Sequence, residues 1–159
     1  MIRKVGFVSA VLALTVAAAF ACSSSTTSSS GSSPWVGNYT CTGTESGMLT
    51  APTMTTVTQN LTFNGTVTES GSTLTATAEP GDSGNVPCVL VSTANGNTAT
   101  LNASPAQTCT QITTLGTVTV TYTSGTFTLS GTTFTGSFNI GVSGPATGTG
   151  TFTISCTQQ

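Results

Sequence analysis

The chain has 159 residues, only 4% of them charged; its two basic side chains, Arg3 and Lys4, lie at the extreme N-terminus, and histidine is absent. Beyond Lys4 the only charged side chains are four acids, Glu45, Glu69, Glu79 and Asp82. This excludes chemistry that needs an imidazole or a fixed cation near neutral pH, and it removes the positive charge that nucleic-acid binding requires.

In chain order, residues 1–21 read as an export signal. Arg3 and Lys4 form the positive region, Val5 to Phe20 the apolar stretch, and Ala19-Phe20-Ala21 a small-x-small cleavage site. Cys22 follows, then a run of Ser and Thr. A signal ending in a small residue just before Cys, followed by a polar stretch, resembles the lipobox of bacterial lipoproteins. It departs from that pattern at Ala19, where Leu, Val or Ile is usual, and at the bulky Phe20. The resemblance implies a lipid anchor at Cys22, with acyl chains such as palmitate, and hence the membrane as a partner. The serine after Cys22 implies the outer membrane, periplasmic or surface face. Ordinary cleavage and secretion is the alternative. Cysteine arithmetic favours the anchor: five cysteines are present, and assigning Cys22 to lipid leaves an even four for disulfides. Residues 22–34 then form a Ser/Thr-rich tether with a mean reach of roughly 20 Å.

Residues 35–159 are expected to form a single domain. Thr117 to Thr123, Thr126 to Ser130 and Thr151 to Cys156 alternate apolar or β-branched residues with Thr and Ser. Period-two alternation is the pattern of half-buried strands, and no helical period follows residue 34. The turn signals Ser70-Gly71, Asn95-Gly96, Ser124-Gly125, Ser130-Gly131 and Gly144-Pro145 separate the runs. Strands are expected near 35–44, 54–63, 65–69, 73–78, 87–93, 97–103, 111–123, 126–130, 132–142 and 147–157. Merging of neighbours across a bulge would leave eight to ten.

One face carries the aromatic and aliphatic residues and the other nearly all Thr. An antiparallel up-and-down meander of this kind must close into a small barrel or flattened sandwich to bury its apolar face. The fold class is thus all-β. A membrane-spanning barrel is disfavoured, because most runs are too short and aromatic girdles are missing. Closure makes the first and last strands neighbours, which pairs Cys41 with Cys156 and leaves Cys88 with Cys109 around the Asn95-Gly96 hairpin.

Gly81-Asp82-Ser83-Gly84 resembles the sequence around the nucleophilic serine of chymotrypsin-like proteases, but that chemistry needs a histidine. A turn-rich loop is the better reading. Two carboxylates, Glu79 and Asp82, fall short of the oxygens Ca²⁺ requires. Oxidised cysteines and the lack of histidine argue against transition metals, so neither metal nor other cofactor is expected. Glycosidase chemistry would need two acids facing each other across a cleft, and nothing in the sequence pairs them. Trp35-Val36-Gly37-Asn38-Tyr39 resembles the Gly-x-Trp opening of lipocalin and calycin barrels, where the Trp plugs one end beneath a ligand cavity. It departs from them in having Pro34 for the Gly and no Arg to stack on the ring. That resemblance implies a small apolar ligand.

The leading expectation is a non-catalytic envelope lipoprotein with a structural or weak binding role. One alternative is a lipocalin-like carrier of an apolar ligand, which needs a cavity of about 300 Å³ or more among the phenylalanines. The other is a hydrolase using only carboxylates.

Overall fold

Threonine at every second position supplies both the β-branched backbone preference and a hydroxylated outer face, so the alternating runs become strands with one dry side. The computed structural model describes residues 33–51, 54–79, 87–113 and 116–159. The expected export signal, Cys22, the expected tether up to residue 32 and the Gly81-Asp82-Ser83-Gly84 motif lie outside the described residues.

Nine strands are described: β1 (Gly37–Ala51), β2 (Thr55–Ser70), β3 (Thr73–Ala78), β4 (Cys88–Asn95), β5 (Thr98–Leu101), β6 (Gln107–Thr113), β7 (Gly116–Ser130), β8 (Thr133–Ser143) and β9 (Thr147–Gln158). All pairings are antiparallel, in the order β5-β4-β3-β2-β1-β9-β8-β7-β6, and β5 also pairs with β7. That last pairing closes the sheet into a ring. β5 takes Thr126–Thr128 of β7, and β6 takes Gly116–Tyr122 of the same strand. The two therefore share one place in the ring, separated by residues 102–106.

Some strand limits differ from the sequence reading. Ser124-Gly125 makes no turn; β7 runs through it with a bulge between Tyr122 and Ser124, and Gly125 stands opposite Phe138. Likewise β2 absorbs both 54–63 and 65–69. The expected strand 111–123 contains the β6–β7 hairpin, Thr113 pairing with Gly116, which carries no Asn-Gly or Asp-Gly signature. Gly71, Gly96 and Gly131 take φ near +60° in the tight turns expected of them.

Three of the hairpin turns, at Gly71, Gly96 and Gly131, gather at one end, called upper here. Trp35 caps it. Its indole N–H donates to Gly96 O at 2.9 Å, and its ring lies 6.1 Å from Phe134. Below it, aromatic rings fill the interior edge to face: Tyr39 on Phe134 at 4.9 Å, Phe127 on Phe138 at 4.9 Å and Tyr122 on Phe138 at 5.5 Å. Inward glycines on neighbouring strands make room for those rings. A Cβ at Gly43 would lie 2.5 Å from the Phe152 ring, one at Gly136 2.8 Å from Phe127, and one at Gly125 would clash with Phe138.

Two disulfides brace the ring. Cys41–Cys156 joins directly opposed residues of β1 and β9, the first and last strands. Cys88–Cys109 joins β4 to β6, which share no backbone ladder. Bridges of this kind persist in oxidising compartments, consistent with a place outside the cytoplasm. On the outer face Thr44 donates to Asn60 Oδ1 at 3.0 Å and Thr93 to Asn102 Oδ1 at 2.8 Å, so cross-strand hydroxyl–amide bonds stand where charge pairs are usual.

Candidate functional site

The inward phase of β1 runs Tyr39, Cys41, Gly43, Glu45, Gly47, Leu49. It starts aromatic and oily and turns polar and small as the strand descends. Register places Glu45 opposite Gln59 of β2 and Phe152 of β9, and Gly47 opposite Gly150. The backbones are close there: a Cβ at Gly150 would sit 2.5 Å from Ser46 O and one at Gly47 2.6 Å from Thr149 O. Higher in the ring, phenyl rings lie over Gly43, Gly125 and Gly136, whereas at Gly47 and Gly150 the nearest atoms to the missing Cβ positions are neighbouring backbone.

A cavity of about 240 Å³ results. Leu49, Val57, Val118, Ile140, Val142 and Ala146 supply aliphatic wall, and Glu45, Gln59, Gln111 and Thr113 supply the polar groups. A second void of about 150 Å³ lies above it among the rings, between Phe63, Phe152, Ile154 and the Cys88–Cys109 bridge. Gln111 lines both. The phenylalanine-lined space is thus smaller than a lipocalin-type pocket, and the larger space lies at the other end of the ring. The ring's sidewall also thins at this level. β3 pairs only with Gly65–Ser70 of β2, and among the described residues no strand lies between the lower part of β2 and β6.

Glu45 is half-buried, and Gln111 donates its Nε2–H to Glu45 Oε1 at 3.3 Å. Loss of hydration raises the carboxyl pKa above its ordinary value, and the Gln111 bond draws it partly back. The Tyr122 phenol is pushed well above its usual range, first by burial and then by the nearby Glu45 charge.

The other acids sit apart. Glu69 is the penultimate residue of β2, near the upper rim, its Oε2 buried without a hydrogen-bond partner among the described residues. Gln59, opposite Glu45, is ten residues from Glu69, or about 30 Å along the strand. Glu79 is exposed at the end of β3, its N–H bonded to Asn64 O at 2.8 Å, about 17 Å along β2 from Gln59. Register thus places Glu45, Glu69 and Glu79 at different levels of the ring and not directly opposite one another as a facing pair. Asp82 lies outside the described residues.

Gln59, Gln111 and the glycine pair Gly47/Gly150 were not singled out from sequence. A signal existed at two positions of the site: Glu45 and Gln111, both half-buried, fall in step with Cys41 and Cys109 on their strands, whereas Gln59, in step with Leu61, is exposed. A polar residue on a core phase needs a reason.

No family model matches this chain, and no curated relative does. A solved structure it resembles is that of the ywiB protein from Bacillus subtilis, with a TM-score of 0.35 and 8% identity over 77% of this chain and 93% of that one. So remote a likeness says nothing of function.

Proposed function

We propose that this chain is a non-catalytic binding module of the cell envelope, held at the membrane through a lipid on Cys22, whose ring takes up a small, largely apolar ligand at its lower end. The observation that carries this reading is the 240 Å³ cavity. A void walled by aliphatic side chains, with a few convergent polar groups, is the usual form of a small-molecule site. At this size the ligand is no larger than a substituted single ring, since an engineered apolar cavity of about 150 Å³ already accepts benzene. The two disulfides, the Thr-rich outer face and the signal ending at Cys22 support an exported setting.

Methyl NMR of the full chain in non-ionic detergent tests the cavity. Titration with toluene is expected to shift the methyl signals of Val118, Ile140 and Val142 while leaving Leu74, at the upper end, in place. Unmoved signals at all three would defeat the binding reading. Intact-mass analysis tests the anchor: acylation at Cys22 adds the mass of its chains, and an unmodified mass removes the membrane from the proposal.

A further inference from the structure

The charge balance of the interior allows the ligand's class to be named. From residue 5 onward the chain has no Lys, Arg or His. Glu45 is nevertheless drawn into the ring on the buried phase of β1, lining the lower cavity. A carboxylate withdrawn from water needs a compensating positive charge or several hydrogen bonds. Glu45 is half-buried with one side-chain bond, from Gln111 at 3.3 Å, and its second oxygen is not sealed from solvent but reaches the open space of the cavity. The groups facing it from neighbouring strands are Gln59 on β2, Phe152 on β9, Gln111 on β6 and the Tyr122 phenol on β7; none is cationic.

We propose that the lower cavity selects small amphipathic cations, a primary or secondary ammonium on a compact apolar body, with Glu45 as the counter-ion. The inference rests on the cavity reading above and adds the charge requirement. The ammonium supplies the positive charge that the fold lacks, placed on Glu45 with the Gln59 and Gln111 amide oxygens as further acceptors. The apolar body lies against Val118, Ile140, Val142 and Ala146. A carboxylate-bearing ligand would meet like charge, and a neutral one would bury Glu45 without compensation. One carboxylate and two amides fall well short of the six to eight oxygens of a calcium site.

The test uses three probes of nearly equal shape on the full chain in non-ionic detergent: benzylammonium, benzyl alcohol and benzoate, followed by the Val118 and Ile140 methyl shifts. Benzylammonium is expected to bind at least ten-fold more tightly than benzyl alcohol, and benzoate least. In Glu45→Gln the ammonium should fall to the level of the alcohol, whose own binding is unchanged. In the native chain its advantage should fade as acid protonates Glu45. Equal binding of ammonium and alcohol, or ammonium selectivity that survives in E45Q or at acid pH, overturns the charge proposal and leaves the cavity reading standing. If none of the three shifts any cavity methyl, both fall.

Discussion

The side-chain amide of Gln107 completes the backbone of Val91. Its Oε1 accepts from Val91 N–H at 2.5 Å and its Nε2 donates to Val91 O at 2.7 Å and to Asn102 O at 2.6 Å. β5 ends at Leu101 and β6 shares no ladder with β4, so a side chain stands where the next strand residue would have been. Replacing it with alanine leaves the Val91 N–H without this acceptor in the half-buried seam of the ring. Gln107→Ala is therefore expected to cost about 1–3 kcal/mol, read from urea unfolding. An unchanged midpoint would mean that water serves Val91 equally well.

Glycines on the inward and outward phases of the strands do different work. Gly125, facing inward, meets the Phe138 ring, whereas Gly141, on the outward phase of β8, leaves a Cβ with nothing within 4 Å. Gly125→Ala should overpack the core and destabilise by about 1–3 kcal/mol, while Gly141→Ala stays within about 0.5 kcal/mol of the parent. Thermal unfolding of the two variants side by side gives the comparison; equal shifts would refute the interlock of ring and glycine.

The two disulfides close loops of very different length, with sequence separations of 115 and 21. If restriction of the unfolded chain dominates, removing Cys41–Cys156 as a double Ala variant costs about 5 kcal/mol and removing Cys88–Cys109 about 3 kcal/mol. Denaturant midpoints on oxidised protein decide the order. A larger loss from the shorter loop would show that the β4–β6 seam depends on its bridge for native geometry.

Glu45 also makes a prediction about acid. Because burial raises its folded-state pKa above the ordinary carboxylate value, the native state holds a proton that the unfolded chain has already released between those two values. The stability this proton confers is complete below the unfolded pKa and is lost as the pH rises through the folded one. E45Q, which never carries the charge, should gain on the parent across that interval and keep a constant advantage above it. Urea midpoints taken from the acid range to neutral pH check this, and parallel curves for the two proteins would contradict it.

The all-β class, the meander order and the closure of the ring were legible because alternation has a fixed period of two. Once Phe127, Leu129, Phe134 and Phe138 occupy one phase, they face one side whatever the partners are. The cysteine pairing followed from closure, since a meander closes only by bringing its ends together. The β6–β7 hairpin and the run of β7 through Gly125 were harder to read. A turn lacking Asn-Gly chemistry leaves little local trace, and a glycine beneath a phenyl ring looks the same in sequence as a glycine in a turn.

The cavity depended on what no single strand contains. Glu45, Gln59, Gln111 and the glycine pair Gly47/Gly150 come from four strands, and only their register sets them at one level of the ring. Local chemistry determined that the chain would wrap an oily side inside a threonine coat with no cation beyond Lys4 to offset its acids. Tertiary structure decided where that inside stays empty, and that a carboxylate borders the empty part. Volume and charge compensation are properties of the assembled wall, and the strands acquire them only when they meet.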